Sequence, residues 1–189
     1  MNDLRSTLHY RACVERRRQF SLSGYPSFAD VGLEGEWTTP YHISGCSGFG
    51  PVLLSYNYLD APSAIAYRDE LLKHGFIATM PFNRVLNMAL LRLKRSRRDL
   101  YLTHTFHLLP QTRSQTIPTT AIDASFEAVA RYEIGSRHVV ALGKAAARVC
   151  RRHGLPHTPV THLSARGVGF EKKAEWLAEA IRVAEQRTT

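Results

Sequence analysis

The chain has 189 residues, 44% of them hydrophobic, and sets 25 Lys and Arg against 16 Asp and Glu, a formal charge of +9 with a pI near 9.8. That length and apolar content suit one compact domain over residues 1–189, stable without staples, and the charge excess favours a polyanion, nucleic acid first, bound in a salt-dependent way. Cys13, Cys46 and Cys150 are far apart and odd in number, which argues against a disulfide framework or zinc site; with no signal peptide and no apolar run of about 18 residues, the expectation is a cytoplasmic protein off the membrane, without metal or organic cofactor and monomeric by default.

Residues 1 to about 20, with Arg5, Arg11 and the run Arg16, Arg17 and Arg18, read as a basic helix. Residues 21–50 mix Ser, Gly, Pro and aromatics without a sustained period, so 1–50 are expected to form an irregular, partly helical N-terminal layer. The α/β core is expected over 51–189. A short apolar run at 51–58 follows Gly50 and is closed by Asp60, Ala61 and Pro62, the pattern of a buried strand leading into a helix over roughly 62–73 that stops at Gly75. A second helix starts at Phe82 and carries Val85, Leu86, Ala89, Leu90 and Leu93 at helical spacing. Residues 100–106 alternate like a strand, 121–133 return to helical spacing, 137–143 form a third strand running straight into a helix at Lys144, and 158–162 form a fourth. After a loop with Gly167 and Gly169, a last helix spans about 171–186. Strands alternating with helices predict a three-layer αβα sandwich around a mainly parallel four-stranded sheet. In such sheets ligands bind beyond the carboxyl ends of the strands, so Asn57, Asp60, His104, His107 and the segment from His162 are expected on one rim.

Four segments carry a family likeness. Tyr101-Leu-Thr-His-Thr-Phe-His-Leu-Leu-Pro110 resembles the Y-V-T-N-x-V-K segment of uracil-DNA glycosylases and the F-V-H-N-x-C-P-L form of their single-strand-selective branch. Arg137-His-Val-Val-Ala-Leu-Gly-Lys-Ala-Ala-Ala147 looks like the V-V-A-L-G-x-x-A junction, His162-Leu-Ser-Ala-Arg-Gly167 resembles H-P-S-P-R-N, and Pro81-Phe-Asn-Arg-Val-Leu86 resembles P-F-x-R-x-L. Together, in family order, they resemble the uracil-DNA glycosylase superfamily. The first family motif departs most: Ser55-Tyr-Asn-Tyr-Leu59 keeps only its Asn.

The resemblance implies a monofunctional glycosylase that flips a base out of DNA and hydrolyses its N-glycosidic bond. Such a reaction needs a held water and donors aimed at an anionic leaving base. His162 would be that donor. Asn57 would hold the water, and Asp60 would deprotonate it unless it serves instead as a helix cap. Phe82 would stack on the base, with Tyr58 and His104 completing the base pocket, while Arg166, Ser164 and Gly167 would contact DNA beside the vacated stack. His104 stands where uracil-cleaving members have Asn, and a neutral His can accept from an exocyclic amine. This permits a modified pyrimidine, such as the glucosylated hydroxymethylcytosine of phage DNA, and a role in antiviral defence. The alternatives are uracil repair, a catalytically silent DNA-binding module of the same fold, and a nucleoside hydrolase.

Overall fold

In the computed structural model, which describes residues 3–187, the strands β1 (Val52–Asn57), β2 (Tyr101–Phe106), β3 (Val139–Leu142) and β4 (His157–Val160) form one sheet. It is wholly parallel, in the order β2-β1-β3-β4. Parallel strands need covered faces, and the alternation of side chains supplies two apolar sets. Leu53, Leu102, Val140 and Leu142 point into one layer, Val52, Leu54, Val139 and Ala141 into the other. Burial of each of these valine and leucine side chains contributes about 1.5–3 kcal/mol.

The first layer is built from α2 (Ala61–Ala66), α3 (Arg68–His74), α4 (Pro81–Leu93) and α8 (Phe170–Gln186). Phe82, Val85, Leu86, Ala89 and Leu90 form the inner stripe of α4. It packs against α8, whose Ala174, Ala178, Ala180 and Ala184 keep the two helices close. The second layer holds α1 (Leu8–Gln19), α5 (Thr119–Ser125), α6 (Arg131–Ile134) and α7 (Lys144–Arg152). Between α5 and α6, Phe126–Ala130 are wound as a π-helix, so that 119–134 run on as one rod. The three-layer αβα sandwich is thus the observed architecture. Among the described residues no helix is long and apolar enough to cross a membrane.

Two elements differ from the sequence reading. The single helix expected over 62–73 is two, meeting at Tyr67. Only Ala61, Ala64 and Leu71 are buried along it, too thin an apolar stripe to hold one straight helix on the core. The stop at Gly75 is as expected: its φ of 79° and its closeness to Pro40, whose carbonyl oxygen would lie 2.0 Å from an added Cβ, admit only glycine. Strand β4 ends at Val160, so His162 lies on a turn beyond the sheet and not in it.

The N-terminal layer is less peripheral than its composition suggests. Phe28, Leu33, Trp37 and Tyr41 are part of the core below α4, whereas Tyr10, Val14 and Cys46 join the opposite layer. Residues 37–43 wrap the exposed edge of β2, as an edge strand requires. Thr38 and Thr39 lie on its two sides: the Thr38 hydroxyl donates to Glu133, and Thr39 Oγ1 is 3.1 Å from His104 Nε2.

Candidate functional site

Because all four strands run the same way, their carboxyl ends share one rim, and the turn after β4 brings His162 onto it. The Gly143 N–H donates to Val160 O at 2.7 Å, drawing the start of α7 against this turn. Gly143 has φ 98° and ψ 168°, a conformation open to glycine, and a Cβ there would stand 2.9 Å from His162 Cβ. The turn closes on itself through Ala165 N–H to His162 O at 2.8 Å and Ser164 N–H to His162 Nδ1 at 3.2 Å. An accepting Nδ1 fixes the neutral tautomer, leaving Nε2–H as a donor. Burial, and after it the positive charge of Lys173, hold the His162 pKa below the ordinary imidazole range. At neutral pH the ring is therefore an uncharged donor.

A chain of ring contacts leads inward from it. Phe82 lies 5.8 Å from His162 between centroids, Tyr41 lies 6.1 Å from Phe82, and His104 lies 5.7 Å from both Tyr41 and Tyr58. These distances are those of tilted and edge-to-face packing. His104 is 1% exposed, its Nε2 is engaged by Thr39, and its Nδ1 is buried without a partner among the described residues. Burial, then the neighbouring His107, push its pKa well down, so it too is neutral. The Tyr58 hydroxyl donates to Gly75 O at 2.9 Å and so pins the helix stop.

The structure thus groups His162, Phe82, Tyr58 and His104, with Tyr41 at the centre. Asn57 ends β1; its Nδ2 donates to Leu59 O at 3.2 Å, which leaves Oδ1 as an acceptor. Asp60 is the cap of α2: its carboxylate accepts from Ser63 N–H at 3.0 Å and Ser63 Oγ at 2.9 Å. Of its two expected roles, the cap is the one the hydrogen bonds fill. Ser164, Arg166 and Gly167 are exposed on the turn that carries His162.

Outside this turn a cleft of about 770 Å³ opens, lined by His162, Thr161, Ala165 and, from α7, Lys144, Arg148 and Arg151. The spacing of the three cations puts them on one helix face, and none makes an ion pair among the described residues. A second cavity of about 640 Å³ lies at the opposite ends of the strands, but its charges are largely spent on one another, in Arg5 with Asp3 and Arg95 with Glu185. Arg97 and Arg152 are structural: Arg97 bonds Asn83 and Asn87 and covers the Phe76 ring, and Arg152 pairs with Asp123.

No protein-family model matches the chain, and no curated protein matches it.

Several of these residues escaped the sequence reading. Glu133 is fully buried beneath β2, where its carboxylate accepts from Thr38 Oγ1, Tyr101 Oη, Thr103 Oγ1 and His107 Nε2, all within 2.9 Å. Burial pushes its pKa up, but His107 and the ring of donors outweigh this and hold it down to about 2. The signal was present: Glu133 occupies the same stripe as Ile122, Phe126, Val129 and Ala130, where periodicity demands an apolar residue. Lys173 is likewise a charge on the buried stripe of α8. Thr39 and Tyr41 carried no such mark, since their segment has no period. Among the described residues no three His, Cys, Asp or Glu side chains are grouped to hold a metal ion, and the three cysteines are separate, buried free thiols.

Proposed function

We propose that this protein is a monofunctional DNA glycosylase acting on a modified pyrimidine, with His162 as the donor to the departing base. The observation that carries this reading is the combination at the rim: a neutral imidazole with Nε2–H free, an aromatic ring beside it, and an open cationic cleft at its mouth. Breaking an N-glycosidic bond leaves negative charge on the base, and one preorganised donor at that charge accelerates such reactions by about 10²–10³. Asn57 Oδ1 orients the attacking water, and Phe82 stacks on the flipped base. Ser164, Arg166 and Gly167 meet the phosphate backbone together with the cations of α7.

His104 reads the base edge. In the tautomer in which Nε2–H donates to Thr39 Oγ1, Nδ1 accepts from an exocyclic amine, which favours a cytosine-derived base over uracil. Tyr41 and Tyr58 pack against this buried ring, so the base reaches it only when its cover gives way. Removal of modified bases from invading DNA is the role such specificity serves. The buried free thiols suit a reducing cytoplasm.

A second reading is a binding module without turnover. It is favoured by the covered His104 and by Asp60 being occupied as a cap. The experiment is mass-spectrometric detection of free base released from DNAs containing uracil, hydroxymethyluracil, hydroxymethylcytosine or its glucosylated form, with His162→Ala alongside. Release of one base, reduced about 10²–10³-fold in the variant with DNA affinity retained, is expected. Binding without release in either protein favours the module.

A further inference from the structure

Lys173 has a place in the site that the proposed chemistry does not use. Its side chain is 1% exposed, on the core face of α8, and no carboxylate pairs with it among the described residues. Its ammonium donates instead to Leu163 O at 2.8 Å and Ala165 O at 3.0 Å, and stands 4.9 Å from the centroid of the Phe170 ring. A buried cation without a counter-ion is expensive. Apolar packing would hold α8 more cheaply, so the charge calls for another explanation.

Its two acceptors bracket the turn. Leu163 follows His162 directly and is fully buried, and Ala165 returns its N–H to His162 O. We infer that Lys173 is a positioning residue: its ammonium ties both ends of the 163–165 turn to α8, fixes His162 at the mouth of the cleft and places a cationic group behind the turn that carries the imidazole. The other charges around the ring are cationic as well. They are Lys144, Arg148 and Arg151 across the cleft from α7, Arg84 of α4 on the Phe170 ring, and Arg166 on the turn itself. Those across the cleft face solvent and are screened; Lys173 is not. Burial is the first cause of the depressed His162 pKa and the Lys173 charge adds to it; the same charge favours negative charge on a group that accepts from Nε2–H. That last consequence rests on the glycosylase reading. The anchoring and the field do not.

The test is an NMR titration of the His162 ring in the unaltered chain, Lys173→Met and Lys173→Arg. The Met variant should raise the midpoint of His162 protonation, because a like charge beside the ring is removed, and Arg should largely restore it. A folded Lys173→Met with an unchanged midpoint overturns the inference. If that variant does not fold, the nitrogen-15 signal of the Lys173 ammonium in the unaltered chain decides. Slow proton exchange with couplings to the Leu163 and Ala165 carbonyls supports the anchor, and exchange as fast as that of exposed lysines overturns it. Where base release is observed, Lys173→Met should lower kcat with little change in KM and move the acid limb of the pH profile upward. Absence of release from the unaltered chain counts against the glycosylase and leaves the titration to decide the role of Lys173.

Discussion

Glu133 shows how far a single residue can set the behaviour of this fold. Four donors, from the N-terminal segment, β2 and the residue just after it, meet on its carboxylate and join residues 37–43, β2 and the 119–134 helix. Glu133→Gln replaces one acceptor oxygen by a donor that faces hydroxyl and imidazole groups already committed to donating. Leaving such buried donors without their acceptor costs about 1–3 kcal/mol, so the urea midpoint at neutral pH should fall accordingly. The pH dependence has a definite sign. Glu133 holds its carboxyl at about 2 against an ordinary 4.5, so its contribution is complete above about pH 4.5 and disappears as pH falls towards 2. His42 is pushed down to about 4 from 6.5 by burial, so it too stabilises above its ordinary pKa and loses that contribution from pH 6.5 downward. Acid should therefore weaken the protein in two stages. In Glu133→Gln the lower stage should shrink to what Glu34, Asp99 and Asp123, also held low, contribute, and denaturation curves at about pH 7, 5 and 3 read this directly. A lower stage undiminished in the variant assigns it to those groups.

At the level of elements, the sequence was most legible where side-chain period and burial agree. The stripe of α4 from Phe82 to Leu90, the fully buried run of β2 and the strand-to-helix junction at Gly143 all follow from local pattern, because each buries a continuous apolar face. The break at Tyr67 left no trace, since neither Gly nor Pro marks it. Nor could spacing reveal that Thr39 and Tyr41 line the site, because residues 37–43 are held by their contacts with β2 and not by any regular structure of their own. His162 was identifiable as a candidate, but its tautomer depends on Ser164 N–H and its anchoring on Lys173, both tertiary facts. The Gly143 junction yields a sharp expectation. Gly143→Ala imposes a side chain on a backbone that L-residues avoid and drives it into His162, at a cost of about 1–3 kcal/mol in strain. The thermal midpoint should drop, and any base release should fall further than the loss of folded protein explains, because the turn bearing His162 must shift. A variant equally stable and equally active would show that the junction does not set the position of His162.

For the whole molecule the question is where the formal charge of +9 acts. Many of its cations are consumed locally: Arg17 and Arg18 are bound to Glu34, Arg95 to Glu185, Arg131 to Glu127, and Arg152 to Asp123. The cations of α7 are different. Lys144, Arg148 and Arg151 form one face on the wall of the cleft that His162 shares, at the carboxyl rim where an open α/β sheet binds its ligands. If this face follows a DNA backbone, the triple change Lys144→Ala, Arg148→Ala and Arg151→Ala should leave stability nearly untouched, since these side chains make no ion pair among the described residues. It should weaken DNA binding uniformly across sequences and reduce the slope of log affinity against log salt by about 3, near one for each phosphate that is no longer neutralised. A matched change of the paired arginines Arg18 and Arg131 should alter the slope little, because their charge is already balanced. The comparison separates a built groove from a merely basic surface: in the second case affinity follows net charge, and the two sets of changes weaken binding in proportion to the charges removed.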